Sequence, residues 1–331
     1  MTFFYGESPR AQACMEQLCA RVEQYNRCAC GGVCSVLLLG SLSKGEGTVY
    51  HDGDDEILAG DVELLTVYPR GFTGVEALLR AIDAAAQEAL LPIMPHGVQL
   101  DNCAVAASAV GRLEKKLLIY DAARYGVLLT GPDVRPLFPR VTVHNINRED
   151  VADIVSHRLY YVLEALAGND ERRLRYALAK NALDLATVWL FARGELQTTV
   201  QGRLDALRAQ QKGTLLLRRM EACAAIKRGE EADVSTEELR AHVLAMAQSV
   251  AGTVRPTAQG VLCNGAAMLR RRLGRVRRAL RYRHVAPSPR VHQGRLLERL
   301  QRGERLSDRD VADHLVLHGY PLPRTSGAGR G

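Results

Sequence analysis

"SVLLLGSLSKGEG", residues 35–47, is apolar from Val36 to Leu39 and then breaks at Gly40-Ser41. A short apolar run bounded by glycines, here Val33 to Leu39, reads as a buried strand. The Gly-Ser that ends it has two readings. One is an ordinary turn into a helix. The other is a phosphate cradle, in which a small backbone and a hydroxyl approach a phosphate closely and Lys44 adds a positive charge one turn on. The second reading requires matching carboxylates downstream.

They stand in "DVELLTVY", residues 61–68, the second strand. Asp61 and Glu63 are two residues apart, so both leave the same face while Val62 and Leu64 point into the core. Two acids on one face repel each other and lose hydration unless a cation sits between them. Hard oxygen ligands suit Mg²⁺, which commonly takes one or two carboxylates plus substrate phosphates. Such a pair alone is common by chance; its pairing with Gly40-Ser41 gives it weight. A phosphate cradle opposite a Mg²⁺ pair is what phosphoryl or nucleotidyl transfer needs.

Around these two strands the chain alternates helix and strand. An amphipathic helix is expected over Pro9 to Tyr25, and a helix capped by Thr73 with Val75, Leu78, Leu79, Ile82, Ala86 and Leu90 on its apolar side. "GVQLDNCAVA", 97–106, alternates as a third strand; Leu113 to Tyr125 reads as helix, and "GVLLTG", 126–131, as a fourth strand. The acidic stretch 47–60 reads as a loop or small hairpin with a solvated tip, since its "DGDDE" lacks calcium-loop spacing. The order fits an α/β domain with a mostly mixed sheet. After Pro139 the chain reads as helices, with stripes at Leu159, Val162, Leu163 and Leu166, and at Leu178, Leu183, Leu185, Val188 and Leu190.

"GSLSKGEG…GDVELLTV" resembles the signature of the polymerase-beta-type nucleotidyltransferases, especially the minimal and aminoglycoside branches. That signature is a strand ending in Gly-Ser, a basic residue and Gly-Glu, then two acids on the next strand and a third acid later. The match lies at Gly40, Ser41, Lys44, Gly45, Glu46, Asp61 and Glu63. Three departures stand out: a longer stretch between Ser41 and Asp61, with "TVYHDGDDEIL" as the insertion, Gly60 where Ser is frequent, and Glu as the second acid. "LLIYDAARYGVLLTG" resembles the helix and strand after the third acid, and "YALAKNALDLATVWLFARGELQTT" the helical domain that follows.

The resemblance implies an α/β (α+β) nucleotidyltransferase fold with a mixed sheet, followed by an all-helical C-terminal region. Residues 1–140 would form the catalytic domain, 141–253 a helical domain, and 254–331 an arginine-rich helical region with a disordered tail. Asp61 and Glu63 would hold Mg²⁺ on a nucleoside triphosphate, ATP or another. Asp101 would be the third acid, as general base or as ligand of a second ion. Gly40, Ser41 and Lys44 would bind the phosphates, and Lys180, one turn after Tyr176, would border the nucleotide. An acceptor hydroxyl would attack the α-phosphorus and pyrophosphate would leave. The alternative is a catalytically inactive nucleotide- or RNA-binding protein of the same fold.

Charge bears on the acceptor. The 331 residues carry a net charge of +7, yet from Val254 onward 17 Arg face 5 acidic residues, a balance of +12. "AMLRRRLGRVRRALRYRH", 267–284, can be a helix with Leu269, Leu273, Val276 and Leu280 on one stripe and arginines around it. That suits an anionic partner such as RNA, or simply a solvated face. A small hydroxylated acceptor, or RNA held by this region, is expected. Arg309 and His314 also fit a loose helical-nuclease spacing, at a density of arginine where chance matches are easy. Five of the eight cysteines fall between Cys14 and Cys34, spaced unlike common zinc sites, and read as reduced thiols. No run of apolar residues is long enough to span a membrane, and the start is too short and polar for an export signal. A cytoplasmic protein is expected, with a homodimer plausible from exposed helical stripes.

Overall fold

The computed structural model describes residues 2–95, 97–151, 154 and 171–251. The fold is α+β: a mixed four-stranded sheet and a hairpin, with many helices. The described chain forms two compact units. The first is Met1–Asn147 together with two later segments, Thr198–Gly202 and Ala225–Glu231. The second comprises the described residues of 148–197, 203–224 and 232–251. The first expected domain is one continuous stretch, 1–140, whereas the first unit also takes in two segments from later in the chain. The stripe at Leu159–Leu166 and the arginine-rich stretch with Arg309 and His314 lie outside the described residues.

In the first unit, β1 (Ser35–Leu39), β4 (Val62–Tyr68), β5 (Leu100–Ala106) and β6 (Val127–Thr130) form a sheet in the order β5-β4-β1-β6. β1 runs antiparallel to both β4 and β6. β4 and β5 are parallel, because α3 (Val75–Leu90) carries the chain back between them. Each apolar run bounded by glycine has become a strand. α1 (Pro9–Cys30) and α3 pack together against one face, burying Met15, Leu18, Leu78 and Ile82 with Val36, Leu38, Val62 and Leu64. Leu37 and Leu39 are buried from the other side, where α5 (Leu117–Tyr125) packs on β1. α2 (Gly40–Ser43) and α4 (Ala107–Val110) are single turns leaving β1 and β5.

The acidic insertion is a hairpin, β2 (Thr48–Asp52) with β3 (Asp55–Ala59). Its two-residue turn begins at Gly53, whose φ of 60° suits the twisted turns that join such strands. The tip is exposed, but Glu56 is not. Its carboxylate accepts a hydrogen bond of 2.7 Å from the Ala11 amide in the first turn of α1. The Ser8 side chain makes no cap there, so a residue 45 positions away supplies the missing acceptor. Three other details differ from expectation. α1 continues to Cys30 rather than stopping at Tyr25, and α3 is capped by Gly74, whose carbonyl accepts from Leu78, rather than by Thr73. α5 begins at Leu117, since the chain first turns through α4. Phe3 and Phe4 are buried, with Phe4 bridged to Gly47.

The second unit is helical: α6 (Glu171–Phe191), most of α7 (Val200–Gln210) and α8 (Leu215–Lys227), and α9 (Thr236–Ala251). α6 is buried on nearly every side from Tyr176 to Phe191, as a central helix must be, and α9 packs on it. α9 starts with a reciprocal cap. Ser235 Oγ accepts from the Glu238 amide and Glu238 accepts from the Ser235 amide. Arg203 is buried with partners, donating to Thr187 Oγ1 at 2.8 Å and pairing with Asp184 at 3.1 Å.

Two measurements test this packing. Glu56→Ala leaves the buried Ala11 amide without an acceptor and should cost about 1–3 kcal/mol in urea unfolding, with Glu56→Gln costing less because it keeps an oxygen there. In the second unit, burial beside Met220, with Arg219 adding to it, pushes His242 down from 6.5 to about 4. The unfolded chain therefore takes up this proton first as pH falls. Stability from His242 is full above about pH 6.5 and declines toward pH 4, by up to about 3 kcal/mol. His242→Gln should flatten that part of the stability profile.

Candidate active site

The turn after β1 and the acids of β4 and β5 meet at one end of the sheet. Leu39, the last residue of β1, lies opposite Glu63. Glu63 in turn lies opposite Asp101 across the parallel pair. Residues directly opposite one another share a face, so Glu63 and Asp101 project together. The other face confirms the parity: Asn102, one residue on, donates to the Leu79 carbonyl at 3.2 Å and to Asp83 at 3.0 Å, both on α3. Asp61 precedes Glu63 by two residues, just outside β4, and is half-buried like Glu63, while Asp101 is exposed.

Gly40 closes the row. Its φ is 69°, a left-handed conformation that glycine adopts without strain, and a Cβ there would lie 2.7 Å from Glu63 Oε2. The Gly-Ser turn therefore touches the carboxylate of the neighbouring strand. Ser43 Oγ donates back to the Gly40 carbonyl at 2.9 Å, and Ser41 is half-buried beside it.

Cys103 follows Asp101 on the same face of β5. Burial pushes its thiol up, and the negative charges of Asp101 and then Glu63 push it further. The three side chains thus share one electrostatic environment. Among the described residues, no group of three or more His, Cys, Asp or Glu is gathered that could hold a metal ion by itself. The donors do suit a hard cation that one or two carboxylates hold jointly with substrate phosphates. Glu63 and Asp101, side by side across β4 and β5, are carboxylates of that kind.

The remaining predicted residues are placed elsewhere. Lys44 turns away from the Gly-Ser backbone toward α5, where its ammonium pairs with Asp121 at 2.6 Å and donates to the Thr198 carbonyl at 3.1 Å. Tyr176 and Lys180 belong to α6 of the second unit, Tyr176 buried and Lys180 half-buried. In the cysteine-rich stretch, Cys14, Cys30 and Cys34 are buried free thiols, and burial with Cys30 beside it pushes Cys34 up to about 12.

No protein-family model matches the chain, and no curated protein matches it in sequence. The site is therefore read from its own geometry.

Sequence reasoning did not single out Asp121 or Thr198, and it took Glu46 only as part of a phosphate-binding signature. Glu46 is buried and accepts a hydrogen bond of 2.7 Å from the Val200 amide. Its partner lies 154 residues away, beyond any local signal.

Gly40→Ala should cost about 1–2 kcal/mol from the left-handed backbone alone, read by urea unfolding. It should cost more while Glu63 is present than in a Glu63→Ala background, because the new methyl meets that carboxylate. A strictly additive double variant would mean that the turn and Glu63 are not in contact.

Proposed function

We propose that the chain is a Mg²⁺-dependent nucleotidyltransferase of the polymerase-beta-type fold, moving a nucleoside monophosphate from an NTP to an acceptor hydroxyl. The observation that carries the reading is the register of three strands, which sets Gly40, Glu63 and Asp101 side by side. A turn too tight for a side chain next to a row of carboxylates suits a metal-bound triphosphate better than it suits a packed core.

Asp61 and Glu63 would hold Mg²⁺, and Gly40 and Ser41 the outer phosphates. Mg²⁺ supplies positive charge that offsets the charge developing on the phosphoryl oxygens. Asp101 takes the proton from the acceptor hydroxyl, or shares in holding a second ion. The acceptor oxygen forms its bond to the α-phosphorus in line with the bond to the β-phosphate oxygen, which breaks and releases pyrophosphate. Exposure of Asp101 at the sheet edge leaves room for an acceptor. A small hydroxylated molecule is the acceptor we favour, with RNA held by the arginine-rich stretch as the alternative.

The test is transfer of label from each α-labelled NTP, with Mg²⁺, into the small-molecule and RNA fractions of a cell extract. Wild type should transfer, while Asp61→Asn and Asp101→Asn should each lose at least about 100-fold with melting little changed. The labelled fraction names the acceptor class. If wild type transfers nothing from any NTP, the reading fails and nucleotide binding without chemistry takes its place.

A further inference from the structure

Lys44 and Glu46 flank Gly45 in the turn that follows the Gly-Ser pair, and neither side chain points back at that pair. Both belong to a closed network inside the first unit. The Lys44 side chain is 7% exposed and that of its partner Asp121 17%. A buried ammonium needs its donors satisfied. Here Asp121 Oδ2 accepts at 2.6 Å, the Thr198 carbonyl accepts at 3.1 Å, and the Tyr125 ring lies 5.4 Å away. The other oxygen of Asp121 accepts from the Thr198 hydroxyl at 2.5 Å. Lysine, aspartate and threonine thus form a ring in which each touches the other two.

Glu46 makes the second tie to the same segment. It accepts from the amide of Val200, the first residue of α7, while Thr199 Oγ1 accepts from Gly202 at 3.1 Å. Two of the amides that α7 leaves without helical partners are satisfied this way. On the other side, the backbone amides of Lys44 and Glu46 both donate to one atom, the Ser41 carbonyl, at 3.2 and 2.8 Å. The Ser41 backbone is therefore gripped by two residues whose side chains are anchored on α5 and on Thr198–Gly202.

We propose that Lys44, Asp121 and Glu46 are positioning residues, forming a clasp that fixes the Gly40-Ser41 turn against the segment Thr198–Gly202. The inference rests on the nucleotidyltransferase reading for the purpose of the clasp, and on hydrogen bonds alone for its existence. It assigns Lys44 a different task from phosphate binding. Withdrawing the ammonium toward a phosphate would leave the Asp121 carboxylate buried beside a carbonyl and without its cation.

The full-length chain is compared as wild type, Lys44→Arg, Glu46→Ala and the double variant Lys44→Met/Asp121→Leu, which leaves no unpaired buried charge. Hydrogen exchange is read over residues 40–46 and 198–202, and transfer kinetics with Mg²⁺ and NTP are measured alongside. Glu46→Ala and the double variant should raise exchange in both segments at least about tenfold. Their kcat should fall about 10- to 100-fold, with KM for NTP within about threefold, as loss of position rather than of binding implies. Lys44→Arg should recover most of both. Unchanged exchange overturns the clasp, whatever the activity. A KM raised tenfold or more, with exchange at 198–202 unaltered, would mean that Lys44 touches the nucleotide. Wild type inactive with every NTP would sink the transferase reading, and the exchange data would still decide the clasp.

Discussion

Register in the central sheet is the constraint on which the site depends. β4 turns Val62 and Leu64 into the core packed by α1 and α3, and Glu63 to the other face. A slip of one residue would turn Glu63 into that core and Val62 toward water, a double penalty of lost burial and a desolvated charge. The apolar face therefore fixes where Glu63 stands. β1 then brings Gly40 to it, since the antiparallel pairing ends with Leu39 opposite Glu63. β5 brings Asp101, since α3 returns the chain parallel to β4. Packing on one side of the sheet thus decides the chemistry available on the other.

The carboxylates of the first unit fall into two physical classes. Glu46 and Glu56 are buried and Asp121 is half-buried, and each is met by donors that offset its desolvation: a backbone amide for the two glutamates, an ammonium and a hydroxyl for the aspartate. These groups fasten one part of the chain to another. Asp61 and Glu63 are only half-buried, and Asp101 is exposed at an edge strand. Strand pairing holds Glu63 and Asp101 together within reach of solvent.

Which features were legible follows from how local their causes are. β1, β4 and β6 are short apolar runs bounded by glycine or a turn, and the signal and the cause coincide. The strand of Asp101 carries a weaker signal, because β5 is an edge strand with several exposed positions and its alternation is blurred. The hairpin at 48–59 is half hidden: its charges suggest a solvated tip, while Val49, Glu56 and Leu58 bury one of its faces. Lys44 and Glu46 carried a family-like spacing that pointed toward phosphate. Their partners, 77 and 154 residues away, cannot be inferred from any local pattern.

Those distant partners also mean that the first unit cannot be completed by its own contiguous chain. Thr48, buried at the start of the hairpin, donates to the Lys227 carbonyl at 2.6 Å and accepts from the Lys227 ammonium at 3.0 Å. Lys44 and Glu46 await residues 198–200 in the same way. A chain ending near 147 would keep the four-stranded sheet but leave a buried ammonium, a carboxylate and a hydroxyl short of the partners that make their burial tolerable. Contacts of such sequence separation form against the loop entropy of the intervening residues. The order of the turn that borders the carboxylates is thus tied to chain that the sheet itself does not need.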